Sequence, residues 1–542
     1  MKSFCKVAVK FPGKEGILTY ENNPELNLQV GSLVEVPLGR RKAQGCVLEV
    51  NLQKENLGEA ERGYVDKGKM KPVAGLIDPD FTLSHLELEQ YKWIAKYYHY
   101  NLGMIIFESL PKILKRPRKI ELQNGAGKPP EFPMTSLQQP IFDDINSKIK
   151  NGFDKFYIHG VTGSGKTLIY LNLMKEVLKE GKSVLFLLPE INLTPQFSQT
   201  FLEHVDCPVL PYHSAVSNSE KNKIWKTLKD ADRPVVVMGV RSSVFLPIEN
   251  LGLVIVDEEH DQSFKQSDRC PYNGRDVAIK KAQLSNCPIL MGSATPSVEN
   301  YFGFRENPKL QMNYYPLEKR VAGTFPTVEL LDCRSEKKKR DENALDIWPL
   351  HEQSIQEMRD AFSKGEQVLV FINRLGFANY VQCRACGFKF EDPNTNVPLR
   401  FFKAKNILSS SHSDYQIPMP EICPGCGNMN LLQKGFGTER IAEVLSGIFP
   451  ERNIERFDRD EIKNIDQLTD KLDNFHDGKI DVFVGTQMLS KGHNFQKVNL
   501  VLVLGVDSLM NFADFRAIER TYQTVTQITG RAGRYSEHAK VL

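Results

Sequence analysis

Between residues 183 and 291 short apolar runs recur along the chain: Ser183 to Leu188, Val235 to Met238, Leu253 to Val256 and Ile289 to Met291. Runs with no polar face read as buried parallel strands, covered by helices on both sides. A second series follows at Val368 to Ile372, Asp481 to Val484 and Leu500 to Leu504. The pattern predicts two α/β sheets in tandem. The N-terminal part differs. Residues 31–37 and 44–50 alternate apolar and polar positions, as half-buried strands do. A helix is predicted from about Ser84 to Tyr98, with Leu86, Trp93, Ile94 and Tyr97 on one face. Residues 111–133, rich in Pro, Lys, Arg and Gly, read as a linker. The stretch 383–433 is polar, poorly periodic and interrupts the second sheet. The expected organisation is therefore a β-rich domain over 1–110, the linker, a first α/β unit over 134–320 and a second over 321–542.

The length of 542 residues suits about three or four domains. No apolar run approaches the roughly 20 residues of a membrane helix, and no signal-peptide core follows Met1. A cytoplasmic protein without a membrane partner is the expectation. The net charge of +3 does not announce nucleic acid. Two local basic clusters, one at Lys112, Lys115, Arg116, Arg118 and Lys119 and one over Lys337 to Arg340, read equally as solvated runs or as an electrostatic footprint.

Gly160-Val161-Thr162-Gly163-Ser164-Gly165-Lys166-Thr167 fits the phosphate-loop pattern, with an apolar stretch before it and a helical stretch after it. The glycines let backbone N–H groups curl around phosphates, and the helix N-terminus adds a favourable dipole. Lys166 would neutralise the β and γ phosphates of ATP, and Thr167 would bind Mg²⁺. Leu253 to His260 is an apolar strand ending in carboxylates. Asp257 would hold Mg²⁺ and Glu258 would polarise the attacking water. Gln138 joins the ATP-binding set.

Of 10 cysteines, four form two Cys-x-x-Cys pairs, Cys383 with Cys386 and Cys423 with Cys426. Two such turns complete a tetrahedral four-thiolate Zn²⁺ site, structural because no position stays open for water. A redox pair or free thiols is the alternative.

Asp257-Glu258-Glu259-His260 with Gly292-Ser293-Ala294-Thr295 downstream resembles boxes II and III of superfamily 2 helicases. Phe371 to Phe377, containing Asn373, Arg374 and Gly376, resembles box IV. Val484 to His493, containing Thr486, Gln487 and Lys491, resembles box V, and Gln527 to Arg534 resembles box VI. Longer strings narrow the likeness: Leu188 to Gln196, Tyr212 to Ser214, Asp257 to Lys265, Gly292 to Pro296 and Gly485 to His493 are similar to the PriA family of replication-restart helicases. So are Phe4 to Val50 and Trp93 to Tyr100 in the N-terminal part. The resemblance implies two RecA-like lobes, a 3′-end DNA-binding domain and a zinc-binding insertion. It implies ATP-dependent 3′→5′ DNA unwinding at stalled or branched forks, fork remodelling and loading of a replicative helicase. Implied partners are branched and single-stranded DNA, single-stranded DNA-binding protein, other primosome proteins and the replicative helicase, at the nucleoid. Arg531 and Arg534 would serve as arginine fingers, since a guanidinium pairs phosphate oxygens bidentately. Arg241, Ser293, Thr295, Thr486 and Gln487 would couple hydrolysis to DNA. Asp261 to Arg275 aligns with an aromatic-rich loop, which makes Phe264 and Tyr272 candidates for stacking on bases, worth about 1–3 kcal/mol each.

The chain departs from that pattern in four places. PriA proteins carry twice as many cysteines in the insertion and bind two zinc ions, whereas Asp392, Thr395, Ser410 and Ser413 stand here at the inner positions. The linker is too short for a winged-helix domain. Val240 stands where the family has Thr. The sequence stops soon after box VI, so lobe 2 reads as incomplete; a naturally short chain and a truncated one are both open, and a truncated lobe 2 would expose a sheet edge. Two other readings stand beside the helicase: a superfamily 2 translocase on another nucleic acid, and a non-hydrolysing DNA-binding scaffold.

Overall fold

The computed structural model describes residues 1–542 except 1, 14–15, 80, 112–119, 121, 131, 190–194, 307–311, 334–349, 373–379, 384, 397, 403–405, 411–412, 430, 435–436, 459–460, 463–464, 487, 490–494, 511–513, 534–535 and 537. The chain divides into two compact units, Met1–Lys319 and Arg320–Leu542. Both basic clusters singled out above lie outside the described residues.

The first unit opens with an antiparallel sheet of β1 (Phe4–Val9), β2 (Ile17–Glu21), β3 (Leu33–Leu38), β4 (Arg41–Leu52) and β5 (Gly75–Leu76), in the order β2-β1-β4-β3-β5. Cys5, Val7, Val9, Val34, Val36 and Val47 fill one face of it, the period-2 set that the alternation predicts. The helix His85–Tyr97 follows, capped by Ser84, whose side chain and Glu87 satisfy each other's backbone N–H groups. Its buried face differs from the expected one. Leu88, Tyr91 and Ile94 are buried, whereas Leu86 is 47% and Tyr97 58% exposed. The cause is the neighbour. The helix packs on the turn Arg241–Phe245 of the following sheet layer, with Tyr91 stacked 5.6 Å from Phe245 and Gln90 Nε2 donating to Val244 O at 2.9 Å.

The larger sheet of this unit holds β6 (Lys155–Gly160), β7 (Ser183–Leu187), β8 (Val209–Tyr212), β9 (Val236–Gly239) and β10 (Leu251–Asp257). A small hairpin, β11 (Lys265–Gln266) and β12 (Tyr272–Asn273), precedes the last two strands of the sheet, β13 (Ile289–Ser293) and β14 (Asn313–Leu317). The order is β14-β6-β13-β10-β7-β9-β8 and every pairing is parallel. One face is filled by Ile158, Phe186, Val236 and Ile255 and the other by Tyr157, Leu185, Val237 and Val256. Covering both faces is what the unbroken apolar runs require. The described part of the expected linker is tied down along this sheet: Gly125 N donates to Cys207 O and Ala126 N to Leu202 O.

The second unit carries a parallel sheet, β15 (Thr327–Val328) and β16 (Gln367–Ile372) together with later strands. Between them lies an antiparallel sheet of β17 (Tyr380–Cys383), β18 (Arg400–Phe402), β19 (Ile407–Ser409), β20 (Gln416–Pro418) and β21 (Leu431–Lys434), in the order β20-β19-β18-β17-β21. The main sheet then resumes with β22 (Ile454–Phe457), β23 (Val482–Gly485), β24 (Val498–Leu504) and β25 (Lys540–Val541), in the order β15-β25-β24-β16-β23-β22. Lys540 and Val541 pair with Leu500 and Val501, and Val503 N donates to Leu542 O, so the last residues form a strand along β24.

Candidate nucleotide, zinc and nucleic-acid sites

The carboxyl ends of β6, β13 and β10 lie side by side, because Ser293 pairs with His159 and Gly292 with Asp257 in register. That adjacency brings three distant sequence motifs to one edge of the first unit. Ligands of open parallel sheets bind at such strand ends.

The loop from Gly160 to Gly165 turns β6 into the helix Lys166–Lys179. Gly163 and Gly165 both sit at φ +78°, a left-handed conformation open to glycine and strained for other residues. Val161 N donates to Leu317 O at 3.0 Å and fixes the loop to β14; Thr162 and Gly163 form its tip. Lys166 Nζ donates to Gly160 O at 2.7 Å. Ser164 Oγ is buried and has no hydrogen-bond partner among the described residues, as expected of a loop built around a ligand. The helix beginning at Lys166 and Thr167 presents unpaired N–H groups and a positive dipole end, a setting for phosphate. Gln138 supports the loop from within: its buried amide donates to Ser164 O at 2.9 Å and Gly165 O at 3.4 Å, and accepts from Thr135 N at 2.8 Å.

At the end of β10, Asp257 accepts a hydrogen bond from Tyr170 Oη at 3.2 Å. Burial pushes its carboxyl well above the usual carboxylate range, and the neighbouring Glu258 charge adds to the rise. Such a group is suited to a divalent cation, whose charge reverses that penalty. Thr167 and Asp257 are the residues that could hold Mg²⁺. Glu258 is held at φ +48°, a left-handed position unusual for a residue with a side chain. Its Oε2 accepts from Ser293 Oγ at 3.3 Å. Ser293 Oγ also lies 2.8 Å from His260 Nδ1 and accepts from Thr295 N at 2.9 Å, and Thr295 Oγ1 lies 3.4 Å from His260 Nε2. The acidic box and the Ser-Ala-Thr box thus form one hydrogen-bonded cluster.

Glu259, given no role by the sequence, is the anchor of the acidic turn. It is fully buried and accepts from Tyr157 Oη, Arg275 Nη1 and Ser297 N at 2.9, 2.9 and 2.8 Å, and from Asn300 Nδ2 at 2.7 Å. Tyr157, Tyr170, Arg275 and Asn300 escaped sequence reasoning because nothing in their spacing marks which carboxylate they meet.

On the far side of β9, Arg241 Nη1 donates to Ser263 O at 2.9 Å and Lys265 O at 3.1 Å, tying the loop 261–275 to the sheet. Arg241, Lys221 and Arg269 line a groove with Ser214, Ser242 and one carboxylate, Glu108; three cations against one anion make a chemistry suited to phosphates. The expectation that Phe264 and Tyr272 stack on bases is corrected. Phe264 is fully buried, and Tyr272 is 6% exposed and packed edge-on against Phe245 at 5.0 Å. Neither ring offers a face to a base; both hold the loop onto the core.

In the second unit Thr486 directly follows β23, and Arg531 lies in the turn after the helix Ala517–Thr529, its N–H donating to Ile528 O. Asn373, Arg374, Gly376, Phe377, Gln487, Lys491 and Arg534 lie outside the described residues.

Cys383, Cys386, Cys423 and Cys426 converge, all four Sγ atoms lying within 4.8 Å of one another. Cys383 and Cys426 are 3.6 Å apart, as are Cys386 and Cys423. A tetrahedron with Zn–S of about 2.3 Å has edges near ~3.8 Å, so the set fits Zn²⁺. Gly387 and Gly427, at φ +78° and +70°, close the two knuckles with N–H donation back to Cys383 O and Cys423 O. Backbone N–H groups of Cys386 and Ala385 lower the pKa of the Cys383 thiol, favouring the ligating thiolate. The inner positions are arranged differently. Asp392 is buried and accepts from Ser413 Oγ at 2.5 Å and Asn394 N at 2.8 Å. Hydrogen bonds from Ser410 and Ser413 hold its carboxyl well below the usual range. A hydrogen-bonded carboxylate thus organises the inner positions.

Three family profiles match the chain: the 3′ DNA-binding domain of PriA over residues 6–111, the res subunit of type III restriction enzymes over 131–298, and the helicase conserved C-terminal domain over 439–536. Curated relatives match at length. The replication restart protein PriA of Synechocystis is 39% identical over 400 residues, 72% of this chain and 47% of that protein. That of Treponema pallidum is 34% identical over 95% of this chain and 75% of its own length, and that of Haemophilus influenzae 32% over 96% and 79%. Similarity over nearly the whole chain and most of two relatives' lengths places this chain in the PriA family of replication restart proteins.

Proposed function

We propose that the chain hydrolyses ATP and uses the energy to move 3′→5′ along single-stranded DNA at stalled or branched replication forks, where it remodels the fork and admits the replicative helicase. The observation that carries this reading is the cluster at the ends of β6, β13 and β10, where the phosphate loop, the acidic box and the Ser-Ala-Thr box meet. In it Lys166 leaves the Gly160 carbonyl to pair with the β and γ phosphates. Thr167 and Asp257 would hold Mg²⁺, which would supply charge neutralisation at the transferring phosphate. Glu258 orients the attacking water, and Ser293 and Thr295 couple hydrolysis to DNA. Arg531 and Arg534 serve as the arginine fingers, with Thr486 and Gln487 on the DNA side. The N-terminal domain holds a 3′ DNA end, and the cysteines hold one structural Zn²⁺. The likeness to replication restart proteins and the 3′ DNA-binding domain profile support DNA as the substrate; branched DNA, single-stranded DNA-binding protein and primosome proteins complete the proposed partners at the nucleoid.

The test is ATP hydrolysis by the full chain with no DNA, with single-stranded DNA and with a forked duplex, alongside Lys166→Ala. The reading expects hydrolysis stimulated by DNA, most by the fork, and lost in the variant. Fork binding with hydrolysis no greater than that of Lys166→Ala would leave a DNA-binding scaffold instead.

A further inference from the structure

The helix His85–Tyr97 of the N-terminal domain ends at Tyr98, whose backbone N–H still donates to Ile94 O at 2.9 Å. The Tyr98 ring is braced edge-on by Trp93 and Tyr97, and the Lys265 ammonium lies 5.8 Å from its centroid. Its hydroxyl reaches across to the far end of the 261–275 loop. It accepts from Asn273 N at 3.0 Å and donates to Asp276 Oδ2 at 3.4 Å. From there polar contacts continue. Arg275 Nε donates to Asp276 Oδ1 at 3.0 Å, and Arg275 Nη1 donates to Glu259 Oε2 at 2.9 Å. Glu259 is the buried anchor of the turn that presents Asp257 and Glu258. The guanidinium is four-fifths shielded, its side chain being 18% exposed, so the pair is weakly screened by solvent. Asn273 caps the helix Gly274–Leu284 through Arg275 N, which makes the junction a fixed corner.

We propose that Tyr98 is a positioning residue through which the N-terminal DNA-binding domain sets the acidic turn of the nucleotide site, by way of Asp276, Arg275 and Glu259. The proposal rests on the reading of the first unit as a DNA-stimulated ATPase. A DNA strand that shifts the N-terminal domain pulls on Tyr98, and the corner at Asn273 to Asp276 passes the shift to Glu259. Tyr98 touches neither nucleotide nor metal.

The experiment uses the full chain with Tyr98→Phe, which keeps the ring, its stacking and the Lys265 contact and removes the hydroxyl alone. Two measurements are made. The first is hydrogen exchange of a peptide covering 265–276 in the DNA-free protein. With its acceptor gone, the Asn273 amide should exchange faster, while thermal unfolding stays within a few degrees of wild type. The second is ATP hydrolysis with and without a single-stranded oligothymidylate. The ratio of stimulated to basal kcat should fall at least threefold, with KM for ATP and the oligonucleotide Kd unchanged, a split that general loosening would not give. An unchanged exchange rate, or an unchanged ratio in a wild type that is stimulated by DNA, overturns the coupling and leaves the ATPase reading intact. A wild type with no hydrolysis overturns the ATPase reading and this proposal with it.

Discussion

Ser293 Oγ lies 3.3 Å from a carboxylate oxygen of Glu258, two residues drawn together from neighbouring strand ends. Glu258 is also the residue whose backbone is held in a left-handed conformation, so its side chain is aimed from both directions. Ser293→Ala removes the side-chain restraint and keeps the backbone one. One hydrogen bond to a charged group is worth about 1.5–3 kcal/mol, which predicts a fall in kcat for ATP of roughly ten- to a hundredfold. KM for ATP should move little, because the phosphate loop is untouched. Steady-state kinetics with saturating DNA checks this, and an unaltered kcat would show that Ser293 does not set the carboxylate.

Phe264 separates two kinds of loop aromatic, those that meet bases and those that hold the loop in place. Its ring is fully buried within the core of the first unit. Phe264→Ala is therefore expected to cost about 3–5 kcal/mol of stability, as buried Phe truncations do. Urea unfolding of the first unit would read this directly. A variant of wild-type stability with weakened single-stranded DNA binding would instead restore the base-stacking role.

Zinc analysis distinguishes the two halves of the insertion. The protein should bind one zinc ion per chain, and Cys423→Ser should lose it. Chelation should then speed hydrogen exchange in β17 and β21, which enclose the cysteine knuckles, while β16 and β24 stay protected by their parallel partners. Asp392→Ala should leave the zinc content at one, since its network uses Ser413 and Asn394 rather than thiolates. A second equivalent of zinc in the wild type would show that Asp392 and its neighbours ligate metal after all.

The parallel sheets were legible because β7, β9, β10 and β16 are buried on both faces, and burial on both faces leaves an unbroken apolar run. The insertion's sheet was not, because β18, β19 and β20 are three residues each and a period of two cannot show in so short a stretch. The phosphate loop, the acidic box and the cysteine pairs stood out because backbone geometry and ligand number dictate their spacing. Partner choice did not. Trp93 and Tyr97 look like core and Gln90 looks like surface, yet Gln90 is 4% exposed because Val244 O awaits it. Likewise Glu259 reads as a third acid in a row, and only the fold shows Tyr157, Arg275, Ser297 and Asn300 closing around it.

Lys281 gives the first unit a stability signature in alkali. Its ammonium lies buried on the helix Gly274–Leu284 and donates to Leu246 O at 2.8 Å. Burial lowers its pKa to about 8, against a smaller opposing pull from Glu87. Below that value both folded and unfolded chains carry the proton, and the cost of the buried charge is constant. Between about 8 and the ordinary lysine value near ~10.4, the folded chain sheds the proton while the unfolded chain keeps it. Raising the pH through that window therefore favours folding, by up to about 1.4 kcal/mol per pH unit from this group alone. Other lysines titrate in the same range, so the readout is a difference. Urea unfolding of wild type and Lys281→Met, compared at steps from pH 7.5 to about 10, should show wild type gaining on the variant as pH rises. A constant difference across the window would mean that Lys281 keeps its charge in the folded protein, with Glu87 as its counter-ion.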